Sequence, residues 1–109
     1  MITINSTETA KILVKGTDIE ITSVLARVGG TINFDGKTFP VALKLYKDAT
    51  AYDENKEMNT VDGFELFKTF DLSNGDDPLT YKPQTIQVAH DEYKAYLEGL
   101  GFTATISGL

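Results

Sequence analysis

Apolar and polar residues alternate along two consecutive runs in the first half of the chain. Apolar side chains occupy the even positions of residues 24–34, with Gly30 in one gap, and the odd positions of residues 39–45. A period of two residues is typical of a β-strand with one buried face. The pattern predicts a long β-hairpin with strands at about 23–34 and 37–47.

The pair Asp35-Gly36 lies between the two runs and predicts a two-residue type I′ turn, because both residue types tolerate positive φ better than most. A turn centred there pairs residues whose numbers sum to 71. Every pair on the even–odd face is then apolar or glycine, which supports this register. The pairs are Ile32 with Phe39, Gly30 with Val41, Val28 with Leu43, and Ala26 with Leu45.

The opposite face of the predicted hairpin is mixed, and it supplies the candidate contact residues. Arg27 is expected to lie directly across from Lys44, a like-charge pair that is mildly unfavourable in a sheet. Either both side chains extend into water, or a carboxylate from another segment or subunit lies between them. Tyr46 lies on the same face, and Phe67 points away from the apolar positions of a later strand-like run. We therefore predict a protein-contact surface that includes Arg27, Lys44, Tyr46 and Phe67.

One helix is predicted at about 85–98, where apolar residues recur at three- and four-residue steps from Ile86 to Leu100. Gly99 and Gly101 mark its end, and alternation from Phe102 onwards predicts a final strand. The expected fold class is α+β, mostly antiparallel β, with a sheet or sandwich built on the hairpin.

Several shorter features complete the fold prediction. Residues 10–14 are expected to form a strand, and a change of phase predicts a bulge or corner near Thr22-Ser23. Asp48 is expected to cap a short helical turn. At 109 residues the chain is expected to form a single domain, residues 1–109.

Charge is distributed unevenly along the chain. The net charge is −6, of which residues 48–77 carry −7, whereas residues 1–47 carry +2. An acidic chain without a basic cluster is a poor candidate for binding nucleic acid. The acidic segment is either a solvated loop region or the partner of a positive sheet on a neighbouring copy.

Composition excludes several kinds of chemistry and location. Cysteine is absent, which excludes disulfides and thiolate chemistry. No signal peptide and no membrane-spanning run is apparent, so these features alone favour a cytoplasmic location.

No catalytic, metal or cofactor site is predicted. His90, Asp91 and Glu92 are consecutive on the predicted helix, so they point in different directions and cannot share one ion. Residues 71–77 resemble a calcium loop, but its glycine comes one place early and Lys82 replaces the expected acid. We therefore expect a protein that is not an enzyme.

The layout of the chain resembles that of small virion proteins of tailed bacteriophages. The resemblance rests on the stretch VLARVGGTINFDGKTF at residues 24–39, the break at Tyr46-Lys47-Asp48, and a late helix before a final strand. It covers most of the chain, includes no specific motif and assigns no functional residue. It implies a neck, tail or baseplate component that contacts other virion proteins and is located in the virion rather than the cytoplasm.

Two functional hypotheses follow from these observations. The first is a structural protein of a phage particle that acts by symmetric self-assembly, as a homo-oligomer in contact with neighbouring virion proteins. The second is a small protein- or peptide-binding or inhibitory module, because an exposed edge strand can pair with an extended peptide.

Overall fold

The computed structural model describes residues 1–58, 61–74 and 77–109. Within these residues the chain forms ten strands and two helices. In chain order they are β1 (Ile2–Asn5), β2 (Ile12–Val14), β3 (Glu20–Ile21), β4 (Ser23–Gly30), β5 (Thr38–Tyr46), α1 (Ala49–Asp53), β6 (Val61–Asp62), β7 (Phe67–Asp71), β8 (Ser73–Asn74), β9 (Asp77–Tyr81), α2 (Ile86–Gly99) and β10 (Thr103–Ile106). The fold is α+β and mostly antiparallel, which confirms the predicted class.

A five-stranded antiparallel sheet, in the order β10-β1-β4-β5-β7, organises the structure. We call the face that packs against α2 the inner face and the opposite one the outer face. Side chains alternate between the two faces along each strand. The inner face supplies most of the core through Ile2, Ile4, Val24, Ala26, Val28, Phe39, Val41, Leu43, Leu45, Phe70 and Ala104. Two small sheets, β3-β2-β6 and β8-β9, flank the main one.

The predicted hairpin register is confirmed over six pairs. Ala26 pairs with Leu45, Val28 with Leu43, and Gly30 with Val41. The register holds because a slip of one residue would turn every apolar side chain of the strand towards water.

The turn of the hairpin differs from the predicted type I′ turn. Strand β4 ends at Gly30, and a connection of seven residues, 31–37, leads to β5. Gly36 has a positive φ of 67°, but Asp35 does not, so the type I′ prediction is wrong. The Asp35 carboxylate instead accepts hydrogen bonds from the backbone N–H groups of Lys37 (2.8 Å) and Thr38 (3.1 Å). These bonds provide partners for the backbone N–H groups of the turn, in place of the last hydrogen bonds between the two strands.

The first strand is therefore shorter than the predicted 23–34, and the pairing of Ile32 with Phe39 is not formed. Ile32 is 70% exposed and Phe34 is fully exposed. Two contacts account for this: the Gln84 side chain hydrogen-bonds the backbone of Asn33, and the ring of Phe39 fills the space beside Gly30 that a side chain would need. A Cβ on Gly30 would lie 2.4 Å from Cζ of Phe39. Phe39 thus packs against Gly30 instead of pairing with Ile32.

The predicted helix and final strand are both present. Helix α2 is capped by Thr85, whose hydroxyl accepts a hydrogen bond from the Val88 N–H at 3.2 Å. Ala89, Tyr93 and Leu97 of the predicted stripe are buried in the core. The two end members of the stripe, Ile86 and Leu100, are exposed.

The shorter predicted elements also appear. Strand β2 covers the last three of residues 10–14, and Thr22 forms the corner where the chain passes from the small sheet to the main one. The Asp48 side chain caps α1 by accepting from the Ala51 N–H at 2.8 Å. Helix α1 then lies against the end of β5.

Candidate protein-contact site

The outer face of the main sheet is open over its centre. Arg27, Gly29, Ala42, Lys44 and Phe67 are all exposed there. Their alignment follows from the register, because Arg27 pairs with Lys44, Gly29 with Ala42, and Ala42 with Phe67. Two adjacent rows of the sheet therefore carry a pair of cations and a strip of small and aromatic residues.

A depression of about 260 Å³ lies at the middle of these rows and is lined by Arg27, Gly29, Ala42 and Lys44. Its floor is shallow because neither glycine nor alanine extends far from the backbone. The two long cationic side chains form its walls. We call it the central depression.

Arg27 and Lys44 lack a carboxylate partner within the described residues. The ion pairs found there join other residues, such as Lys68 with Glu65 and Lys94 with Glu98. Two like charges placed opposite one another repel, and an acid from outside the chain would relieve that repulsion. Together with the small floor, this arrangement suits an anion or an aromatic ring.

Phe67 borders the central depression at the start of the edge strand β7. It is 61% exposed, although its strand neighbour Phe70 is buried in the core. An exposed aromatic beside a small-residue floor adds apolar area that a partner can cover. The predicted position of Phe67 away from the apolar face is confirmed.

Tyr46 lies on the outer face as predicted, but it is only 2% exposed. The ring of Tyr52 in α1 packs against it edge to face, with ring centroids 5.2 Å apart. Helix α1 thus covers this end of the outer face, and Tyr46 supports α1 rather than offering a free surface. Sequence periodicity could not reveal this contact, because it depends on how the chain folds back after Lys47.

Acidic residues accompany α1 at that end of the sheet. Asp48, Asp53, Glu54 and Glu57 are exposed, and Glu54 forms an ion pair with Lys56 at 2.7 Å. The segment therefore adds negative charge beside an outer face whose centre carries two cations.

Sequence reasoning missed one exposed feature near the site. Ile32 and Phe34 were expected on the inner face, but they lie in the connection between β4 and β5. Their alternation with Thr31, Asn33 and Asp35 is the same as that of a strand. No local signal distinguishes a loop from a strand here, because hydrogen bonds with a distant residue, Gln84, hold residues 31–34 out of the strand.

The ionisable residues of α2 are engaged within the fold. His90 is only 3% exposed, and its Nδ1 lies 2.7 Å from the Ile86 carbonyl while its Nε2 lies 2.9 Å from the Met1 amino nitrogen. Burial lowers the pKa of His90 below its ordinary value. Glu92 binds Lys82 at 2.5 Å, and the Gln87 amide donates to Asp91 at 2.9 Å. The expectation that these three residues point in different directions is confirmed.

Across residues 1–58, 61–74 and 77–109, no cluster of three or more histidine or acidic side chains is arranged to hold an ion. In the segment that resembles a calcium loop, Asp71 accepts hydrogen bonds from the N–H and hydroxyl of Ser73. Gly75 and Asp76 of that segment lie outside the described residues.

Comparison with known proteins gives no assignment: no family model, curated protein or solved structure matches the chain. Among the described residues, no helix is both long and apolar enough to cross a bilayer.

Proposed function

We propose that this chain is a non-enzymatic structural subunit that binds copies of itself through the outer face of its main sheet. The central depression carries this proposal. Arg27 and Lys44 face each other across it without a carboxylate partner among the described residues. A contact that supplies a negative group there removes an unfavourable repulsion as well as forming a new attraction.

The chain itself carries suitable negative charge. Residues 48–77 have a net charge of −7, and the α1 end of this segment is exposed. Opposite charges on different parts of one surface favour a head-to-tail contact between copies, which closes into a ring or extends as a tube. Complementary potentials also speed the encounter of such copies.

The setting we propose is the particle of a tailed bacteriophage, with the chain as a neck, tail or baseplate component. This part of the proposal rests on the resemblance in layout, namely the residues 24–39 and the late helix before the last strand. Neighbouring virion proteins would then be further partners, and the protein would reside in the virion.

The variant Arg27→Glu tests the contact. We expect wild-type protein to gain mass with concentration in light scattering, and to lose mass when salt is raised, because exposed charges are screened within about 8 Å at physiological ionic strength. Reversing the charge at Arg27 should raise the dissociation constant at least about tenfold, which corresponds to roughly 1.4 kcal/mol.

Lys15→Glu is the matched control. Lys15 is exposed in the turn between β2 and β3, away from the outer face, and the substitution changes net charge by the same amount. It should leave association unchanged. A wild-type protein that remains monomeric at the highest attainable concentration would refute self-association, as would equal effects of the two variants.

A second candidate function rests on strand β10. Residues Thr103–Ile106 form one edge of the main sheet and pair only with β1 within the described residues. An exposed edge offers backbone groups to an extended peptide. A monomer whose β10 amides become protected when a partner peptide is added would favour this binding module over the structural subunit.

A further inference from the structure

The connection between β4 and β5 presents an aromatic side chain that the fold does not use. We call residues 31–37 the tip loop. Phe34, at its turn, is fully exposed, and its neighbour Ile32 is 70% exposed. Exposed phenyl and branched side chains contribute nothing to the core, and together they form an apolar knob at the end of the hairpin.

Hydrogen bonds hold the tip loop in one conformation. The Gln84 side-chain amide engages both backbone groups of Asn33, accepting from its N–H at 2.5 Å and donating to its carbonyl at 2.7 Å. Gln84 directly precedes Thr85, the cap of α2, so the loop is tied to the start of the helix. The Gly36 N–H also donates to the Asn33 carbonyl at 3.1 Å and closes the turn around Phe34.

Side-chain bonds inside the tip loop add to this order. The Asn33 amide donates to the Thr38 hydroxyl at 2.7 Å, and that hydroxyl donates to the Asp35 carboxylate at 3.0 Å. A loop that is already ordered loses little conformational entropy when it binds, so its exposed aromatic is preorganised as an anchor.

We infer that Phe34 of one copy inserts into the central depression of a second copy, where Gly29 and Ala42 form the floor and Arg27 and Lys44 the walls. This inference rests on the proposed function, and it makes the tip loop, rather than the acidic segment 48–77, the part of a neighbouring copy that enters the central depression. The contact is head to tail, because it joins the end of one hairpin to the middle of the next.

The central depression has room for one phenyl ring. The depression measures about 260 Å³, and an apolar cavity of about 150 Å³ is already large enough to hold a benzene molecule. Residues with longer side chains at positions 29 and 42 would fill it. Phe67, which is exposed beside Ala42, offers a second ring for an edge or offset contact.

The charges of the two surfaces agree as well. Arg27 and Lys44 can each approach the face of the inserted ring, an arrangement that attracts a cation to the aromatic quadrupole. Asp35 follows Phe34 directly, so the same insertion brings a carboxylate to the two unpaired cations. Hydrogen bonds from the backbone N–H groups of Lys37 and Thr38 keep the pKa of Asp35 below its usual value, so it stays ionised at neutral pH.

The Asp35 carboxylate retains room for one more partner. It accepts three hydrogen bonds within the tip loop, from Lys37 and from the N–H and hydroxyl of Thr38. A carboxylate offers about four acceptor positions. The remaining position is available to a cation of the second copy.

Complementation between two variants tests this pairing. Phe34→Ser removes the knob and leaves the depression, whereas Ala42→Glu fills the depression and leaves the knob. Each variant alone should associate on the order of thirtyfold more weakly than wild type, the loss typical of an anchor residue. Mixed together, they should form a one-to-one dimer, because one intact knob and one intact depression remain.

Two further variants serve as a control and as a replacement. Ile19→Ser removes another exposed apolar side chain, in the connection between β2 and β3, and should associate like wild type. Arg27→Glu replaces Ala42→Glu as the blocked depression if the latter fails to fold. Sedimentation velocity at several concentrations measures the masses of each variant and of the mixture.

The outcomes separate this inference from the proposed function. If Phe34→Ser assembles like wild type while Arg27→Glu does not, the outer face is an interface but Phe34 is not its occupant. A mixture that stays monomeric also overturns the pairing. If wild-type protein never associates, both proposals fail.

Discussion

Replacing Tyr93 with alanine is expected to destabilise the protein by roughly 3–5 kcal/mol, the range for removing a large buried ring from a core. Tyr93 is completely buried in α2. Its ring packs edge to face with Phe70 of β7 and with Tyr96, at centroid distances of 5.3 and 5.7 Å. Its hydroxyl donates to the Glu65 carbonyl at 2.6 Å. Burial raises the pKa of Tyr93 above its usual range, so this donor keeps its proton.

Thermal unfolding measures this effect, and Tyr93→Ala should lower the melting temperature by roughly 10–20 °C. Tyr93→Phe keeps the ring and loses the hydrogen bond, so it should cost only about 1 kcal/mol. Phe34→Ala is the matched control for removing an aromatic ring, and because Phe34 is fully exposed it should change stability by less than about 0.5 kcal/mol. If Tyr93→Ala melts as the control does, α2 does not pack on the sheet as described.

Replacing Gly63 with alanine is expected to cost on the order of 3 kcal/mol, because two unfavourable effects act at one residue. Gly63 has a φ of 130°, a conformation that side chains rarely adopt. A Cβ there would also lie 2.5 Å from the carbonyl oxygen of Lys11. That atom belongs to the backbone, so relief of the contact requires the segment before β2 to move.

Gly16→Ala separates these two effects. Gly16 also has a positive φ, 74°, but a Cβ there would meet no atom within 4 Å. Only the conformational strain of roughly 1–2 kcal/mol should then remain. Denaturant unfolding of both variants provides the comparison, and equal losses would mean that the close approach of Gly63 to Lys11 is absent in solution.

The hairpin and helix could be predicted because the residues that determine them lie close together in the sequence and recur at regular spacings. The register of β4 on β5 follows from two apolar runs that face the same core, and it fixes Arg27 opposite Lys44 without any knowledge of the rest of the fold. The α2 stripe and its Thr85 cap are contained within a few turns of helix. The centre of the candidate site was therefore accessible from the sequence.

The tip loop and Tyr46 could not be predicted, because distant contacts decide their environments. Gln84, about fifty residues away along the chain, takes the backbone bonds of Asn33 that a strand partner would otherwise provide. The ring of Tyr52 in α1 packs against Tyr46 and shields it from solvent. Alternation of apolar and polar residues carries no information about either contact, so Phe34 was expected inside and Tyr46 outside.

These two corrections change where binding is expected. The exposed part of the outer face is centred on Ala42 and is bordered by Arg27, Lys44 and Phe67, while Tyr46 supports the helix at one end. The knob that fits this surface lies on the same hairpin, at Phe34. The chain thus carries both halves of the proposed contact, as a repeated head-to-tail assembly requires, and both lie on one hairpin.

Thiol labelling of Ala42→Cys tests most directly the claim that subunits meet at the outer face. The chain contains no cysteine, so the new thiol is the only one that a maleimide can modify. We predict that its labelling slows as protein concentration rises through the range in which mass increases, while Lys15→Cys, labelled in parallel, reacts at a constant rate. If the Ala42→Cys thiol reacts at one rate throughout while the mass increases, the subunits meet elsewhere and the account is wrong.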